Sequence, residues 1–532
     1  GGYSGRFGGM PVYFVARAGQ PIASFGTWVG RTATAGATDA TGAQSGAWLT
    51  FAPSTTSVVL EVAISFVDLE GARANLAAEG AGFDFDAARA AAESAWEAEL
   101  SRVRIEGRSD AAFTRFYSAL YHTLLMPTLA ADADGRYRGL DGEVHSASFR
   151  YHTDFSLWDT YRSLHPWLTL AYPAHQQNML RSLIAMGTDG GMMPRWPLGI
   201  GYTGGMLGDP AAIVFADSWI KGLRDYDLRA AYTALRRSAQ GEPNPLFGGR
   251  GSAEPYNRLG YVPLESGGSA AARTLEFAYA DHAMAILAEA LGETDDQAMF
   301  ATRARSWRNT YDPARGFFVA RHEDGRFRDG FREDLWVDDY AEGNAWQYLW
   351  LVPQDASGLA ELLGGEAMAR ARLTHFFEES YRERRGLGPP RWYWHGNEPD
   401  MHACALFSAW GDPAAGSRWC AWVREAFYGE GPEGLPGNDD GGTMSAWYVF
   451  AALGLMPFAA TDRYWIVAPE VTRATIAVEG GVLTIEAPGA SDRTPYVTSA
   501  TIDGEPLPDL SITHARLTAG ATLRLEASET AR

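Results

Sequence analysis

Asp110-Ala-Ala-Phe-Thr-Arg-Phe-Tyr-Ser-Ala-Leu-Tyr-His-Thr-Leu124 decides the fold class, because its large apolar side chains recur at steps of three and four. That spacing puts Phe113, Phe116, Tyr117, Leu120, Tyr121 and Leu124 on one face of a helix. Stretches of the same kind recur at 174–186, 275–291, 298–311, 344–351, 367–381, 400–410, 418–427 and 444–453, separated by long loops rich in Gly, Pro, Trp and Asp. Many helices of ordinary length joined by decorated loops predict a helical toroid whose open end gathers those loops into a pocket.

Upstream the pattern changes. From Val12 to Val67 short runs alternate apolar and polar residues, as in Val12-Tyr13-Phe14-Val15-Ala16, with Gly, Thr and Ser between them. This is strand patterning with turn chemistry. So few strand residues would leave sheet edges unpaired, so residues 1–78 are expected to be part of a β-sandwich that begins mid-domain, completed by strands elsewhere. Asp86–Leu100 has strong helix propensity and no breaker, which makes 79–108 a helical linker to a toroid over 109–457. After Pro457 strands return: Gly480-Gly481 reads as a hairpin turn before Val482–Ala487, and Leu517–Leu525 alternates. Residues 458–532 are expected to pair with the N-terminal strands. The fold class is therefore mainly α with β.

The chain of 532 residues carries 45 basic and 65 acidic side chains, a net charge of −20. That balance, without any basic cluster, argues against nucleic acid or an anionic membrane as partner. No run approaches the ~20 apolar residues of a membrane helix. Cys404 and Cys420 read as two buried thiols, with one bridge as the alternative. Lys221 is the only lysine, a bias that points to a bacterial coding background. Gly1-Gly2-Tyr3 shows neither an initiator Met nor a signal segment, so the chain reads as processed or incomplete.

Five loops concentrate chemistry: Trp158-Asp159-Thr160-Tyr161-Arg162, Arg195-Trp196-Pro197, Glu342-Gly343-Asn344-Ala345-Trp346, Trp392 to Asp400, and Gly437-Asn438-Asp439-Asp440-Gly441-Gly442. Aromatics mixed with carboxylates, carboxamides and Arg suit sugars, whose ring faces stack while their hydroxyls need polar partners. Glycoside hydrolysis needs a carboxylic acid to protonate the leaving oxygen and a carboxylate to activate water or attack carbon. Glu342, in a segment poor in charge beside Trp346, has surroundings that raise its pKa. Asp439 and Asp440 lie between glycines that permit close backbone approach to a ligand, although such a segment also makes an Asx turn capping a helix that starts near Thr443. Asn397, Glu398, Asn438, Asp439 and Asp440 are hard oxygen ligands of the kind Ca²⁺ takes, without EF-hand spacing. His395 is either a ligand-side residue or a hydrogen-bonded packing histidine, and His402 is read as structural. A Gly-x-Ser-x-Gly elbow, a phosphate loop and a dinucleotide fingerprint are all absent.

Taken in order, Phe155–Arg162, Gly201-Tyr202-Thr203, Thr274–Tyr279, Glu342–Tyr348, Gly396-Asn397-Glu398-Pro399 and Gly437–Gly441 followed by Met444–Tyr448 resemble glycoside hydrolase family 92. That family comprises exo-acting, calcium-dependent, inverting α-mannosidases, mostly bacterial. The resemblance implies an N-terminal β-sandwich, a helical linker and an (α/α)6 catalytic barrel. Glu342 resembles the general acid, and Asp440 the general base, with Asp439 beside it. By the same resemblance Ca²⁺, held by Asn397, Glu398 and Asp440, grips hydroxyls of the terminal mannose. Asp159, Arg162, His395, Asn397 and Glu398 would line the mannose pocket, with Trp158 and Trp196 as its walls. The implied substrate is a mannose-containing oligosaccharide or glycoprotein glycan, and the implied location is secreted or periplasmic.

The departures also carry meaning. Relatives acting on α-1,2 linkages carry His-Glu where this chain has His395-Gly396, which puts α-1,2 specificity in doubt. Asn438 stands where many members have a second Asp. The first half of the sandwich is expected to be missing, so strands from a missing N-terminal segment are an expected partner. Two alternatives stand beside hydrolysis of an ordinary glycoside: uncapping of mannose-1-phospho-6-mannose, and a mannose-binding module that no longer hydrolyses.

Overall fold

The helices Leu164–Ala171 and Thr443–Leu453 are buried at every residue, and Pro210–Ile220 is buried from Pro210 to Ser218. A helix that is apolar all round must be surrounded by other elements. In this computed structural model, which describes residues 9–107, 109–242, 244, 249–336, 339–383 and 391–531, these three belong to an inner ring with Ala270–Leu291, Ala345–Tyr348 and Ala403–Ala409. The outer ring is Asp110–His122, Pro173–Gly190, Leu228–Gln240, Thr294–Arg303, Glu366–Glu383 and Pro413–Phe427. Outer and inner helices alternate along the chain, so the inner ones all run in one direction. The loops that enter them collect at one end of the toroid. The fold class expected from the sequence is the one observed; Gly1-Gly2-Tyr3 lies outside the described residues.

Two inner helices, 164–171 and 210–220, have no counterpart among the expected ones, because uniform hydrophobicity carries no three-and-four period. Leu228–Gln240 does carry one, in Leu228, Ala231, Tyr232 and Leu235, and is absent from the expected set. Its ends are equally plain: the Asp227 side chain accepts from Ala230 N, and Gly241 closes the helix in the left-handed conformation.

The strands pair differently from expectation. Among the described residues Tyr13–Ala18 pairs only with Leu60–Ser65, and Ile22–Val29 lies between Thr32–Ala35 and Ser45–Phe51. Phe14, Leu60, Val62 and Ile64 stand exposed on these small sheets. The C-terminal strands do not join them. Arg473–Val478, Gly481–Glu486, Tyr496–Ile502, Glu505–Pro506 and Thr522–Ser528 form a six-stranded sheet completed by Val103–Glu106. That last strand follows the linker helix Phe85–Leu100, and its alternation is too short to assign from sequence to one sheet or another. Lys221 has a buried side chain bonded to Asp217 at 2.7 Å and lies 5.0 Å from the Tyr464 ring, which ties the barrel to the C-terminal strands.

The reading of Cys404 and Cys420 as thiols is corrected. They form a disulfide between Ala403–Ala409 and Pro413–Phe427, an inner helix and the outer helix that folds back on it. A separation of sixteen residues leaves open whether the chain reverses; the reversal brings the Cα atoms to 5.3 Å, within bridging range. Replacing both cysteines by Ala should lower stability by about 2–3 kcal/mol, as expected for closing a loop of this length. Thermal unfolding with and without reductant checks this: reductant should shift only the parent chain.

Candidate active site

Four of the loops that enter inner helices carry the candidate residues. Asp159 lies on the short helix Leu157–Thr160 just before Leu164–Ala171, Glu342 precedes Ala345–Tyr348, Asn397 and Glu398 precede Ala403–Ala409, and Asp440 precedes Thr443–Leu453. Carboxylate oxygens of Asp159, Glu398 and Asp440 all lie within 4.8 Å of one another. Asp159 is 3% exposed and Glu398 1%. Burial, followed by mutual repulsion, pushes the carboxyls of Asp159 and Glu398 well above their usual range. Asp440 is raised by burial as well, tempered by a hydrogen bond with Glu398.

Glu342 stands outside this trio. Its side chain reaches solvent, yet partial desolvation and then the charge of Asp440 raise its pKa. The Asp440 charge, not Trp346, is its partner: Trp346 packs on Phe317 and Trp392. Glu342 and Asp440 share a rare backbone state, with φ of 51° and 46°. A residue with a Cβ adopts this left-handed region only when its surroundings compel it.

Glycines bring the loops together. A Cβ on Gly396 would lie 2.5 Å from Pro436 O, and one on Gly437 would lie 2.6 Å from Gly396 O. The loops bearing Glu398 and Asp440 therefore meet backbone to backbone. A Cβ on Gly441 would lie 3.1 Å from the Thr160 methyl, so the loop bearing Asp440 packs closely on the helix bearing Asp159. Ser163 Oγ donates to Thr443 O at 2.7 Å and closes the same seam.

The other expected site residues take different places. Asp439 accepts from Ser445 N at 2.9 Å and from Ser445 Oγ at 3.0 Å, so its carboxylate anchors the loop to the first turn of Thr443–Leu453. No Asx turn caps this helix: its N-cap is Gly442, without a side-chain cap, and Asp439 reaches the first turn from six residues before Ser445, while Asp440 beside it joins the acidic trio. Asn397 donates from Nδ2 to Glu342 O at 2.5 Å. Trp158, expected as a pocket wall, is interior: its side chain is 0% exposed and its indole N–H donates to Glu276 Oε1 at 2.9 Å. Arg162 is likewise interior, bonded to Glu276 Oε1 at 3.1 Å and stacked over Tyr161. Trp196 remains half-exposed on a hairpin before Pro210–Ile220, at the same end of the toroid.

Of the two readings of His395, its surroundings match the packing one. It is fully buried, with Nδ1 2.5 Å from Tyr393 OH and Nε2 2.7 Å from Tyr428 OH. Burial drops its pKa to about 3, so it is neutral and packs rather than binds. His402 is structural as well, bonded to Trp350 O at 2.6 Å. Glu276 was assigned no role from sequence. It gathers Trp158, Tyr161 and Arg162 beneath the site, and its one signal was a lone acid inside the apolar stretch Thr274–Tyr279.

The trio fits a hard divalent cation. The positive charge of Arg162 is already matched by Glu276, and buried Glu398 Oε1 has no hydrogen-bond partner. Three carboxylates with an unused buried oxygen are the donor set such an ion takes. Asp159 thus joins Glu398 and Asp440 as a candidate ligand, a place the sequence reading gave to Asn397.

Comparison with known proteins identifies the family. The family model described as the glycosyl hydrolase family 92 catalytic domain matches residues 71–529, and the family's N-terminal domain matches residues 1–65. A family 92 alpha-mannosidase from Bacteroides thetaiotaomicron is 30% identical and superposes with a TM-score of 0.89 over 98% of this chain and 70% of its own. A family 92 inverting mannosidase from the same species is 31% identical, with a TM-score of 0.91 over 98% of this chain and 74% of its own. An uncharacterized secreted glycosidase from Arthroderma benhamiae is 26% identical over 91% of this chain. The chain spans 62% of the length of that curated relative. On these matches, with the fold and the acidic site, the chain belongs to glycosyl hydrolase family 92.

Proposed function

We propose that the protein is an inverting, calcium-dependent exo-α-mannosidase that removes terminal α-mannose from N-glycans or mannan. The observation that carries this reading is the arrangement of the carboxyls: Glu342 reaches solvent outside the trio that holds the half-buried Asp440, and the charge of Asp440 adds to partial desolvation in raising its pKa. Two carboxyls held in different environments are what acid and base roles require. The family neighbours add support, since one is an inverting mannosidase and another alpha-mannosidase was captured with mannoimidazole.

Glu342, protonated, gives its proton to the glycosidic oxygen as the C1–O bond breaks. Asp440 takes a proton from water while that water's oxygen bonds C1 from the opposite face, which inverts the anomeric centre. Asp439 holds the Asp440 loop on its helix, Glu276 holds the pocket floor through Trp158 and Arg162, and Trp196 remains free to meet the sugar. Bound by Asp159, Glu398 and Asp440, Ca²⁺ would supply positive charge for the sugar hydroxyls and for the crowded carboxylates. Retention of a raised Glu342 favours an ordinary glycoside over a phosphodiester cap, whose phosphate leaves unprotonated, and over a module that only binds. A disulfide suits an oxidising compartment, in keeping with a secreted or periplasmic protein.

Glu342→Gln should cut turnover of alkyl or sugar α-mannosides by about 100-fold or more. An activated aryl mannoside should lose far less. Because protonated Glu342 is the active form, the parent should lose activity as pH rises through the raised Glu342 pKa, and this limb should vanish in the variant. Equal losses on both substrates would remove Glu342 from the acid role. NMR of the released sugar should show β-mannose first; initial α-mannose contradicts inversion. A Ca²⁺ concentration ~100-fold above its Kd should add about 2.7 kcal/mol of stability to the parent. Thermal melting should detect that shift in the parent and not in Glu398→Gln.

A further inference from the structure

We propose that Tyr348 and Asn397 are positioning residues that aim the Glu342 carboxyl by gripping the two carbonyls flanking its Cα. Tyr348 OH donates to Ala341 O at 2.6 Å, and Asn397 Nδ2 donates to Glu342 O at 2.5 Å. These carbonyls belong to the two peptide planes that meet at Glu342. The direction of the Cα–Cβ bond follows from those planes, so fixing both leaves only side-chain rotation to the carboxyl.

The backbone explains why two grips are needed. At φ 51° Glu342 sits where its Cβ crowds the chain, and a free loop would relax to the right-handed or extended regions. Relaxation would swing the carboxyl off the leaving oxygen. Gly343 shows how tightly the loop is pressed down: a Cβ there would lie 2.9 Å from Tyr348 Cε2 and 3.1 Å from Gln347 Oε1.

Both anchors are themselves fixed. Tyr348 is fully buried on Ala345–Tyr348, which Asn344 and Gln347 close with a reciprocal cap, while Gln347 Nε2 donates to Trp392 O at 2.9 Å. Burial holds the Tyr348 phenol protonated, so it remains a donor. Asn397 is 6% exposed and adjoins Glu398 of the acidic trio. Through that one residue, the position of the acid is tied to the loop that carries the candidate cation ligand.

The inference rests on the reading of Glu342 as general acid, and its test separates the two. Tyr348→Phe removes one oxygen and keeps the ring; Asn397→Ala removes the other donor. Each is assayed for kcat and KM on an alkyl α-mannoside and on 2,4-dinitrophenyl α-mannoside, alone and combined with Glu342→Gln. Both single variants should lose about 10- to 100-fold in kcat on the alkyl substrate, with KM within about twofold, since misaiming an acid removes part of its contribution. Loss on the dinitrophenyl substrate should stay within about threefold, and neither change should add to Glu342→Gln. Equal losses on both substrates, or losses that multiply with Glu342→Gln, overturn the positioning role. If Glu342→Gln itself lacks dependence on the leaving group, the acid assignment falls instead. Tyr348→Phe keeps the test sound should Asn397→Ala fold poorly.

Discussion

Crowding of the buried Asp159 and Glu398 and the half-buried Asp440 within 4.8 Å is the most demanding condition in the molecule. Like charges at that spacing repel strongly in a medium of low polarity. The surrounding architecture opposes that repulsion. All three acids sit where chains enter inner helices, whose positive ends favour negative charge nearby. Ser156 hydrogen-bonds Asp159, and Asp440 and Glu398 share a hydrogen bond. Backbone-to-backbone contact between Gly396 and Gly437 then keeps two of the three loops from drifting apart.

Much of the fold was legible because outer helices show one face to the core and one to water, as Asp110–His122 does. Inner helices such as Pro210–Ile220 show the core to all sides, so no periodic face marks them. Strand pairing was the least legible part: nothing local in Val103–Glu106 says that it belongs beside Arg473–Val478, hundreds of residues away.

In the site, residue types pointed to the right loops but not to each side chain's task. Asp439 and Asp440 look equivalent in sequence. The turn between them sends one carboxylate to Ser445 and the other to Glu398. Trp158 and His395 look like sugar contacts, and both are spent on interior partners, Glu276 for one and Tyr393 and Tyr428 for the other. Three-dimensional neighbours, not spacing, decide such cases. Glu276 is the converse: a lone acid in an apolar helix has no meaning until Trp158, Tyr161 and Arg162 converge on it.

The glycine contact also bears on how such a site could diversify. Where two loops touch through their main chains, no side chain can be grown at the seam without prying the acidic cluster open. New substrate preferences would have to arise at the freer rim, around Trp196 or the exposed Asn438, where added groups meet solvent. The seam at Gly396 and Gly437 thus divides the pocket into a part that chemistry has frozen and a part that remains open to change.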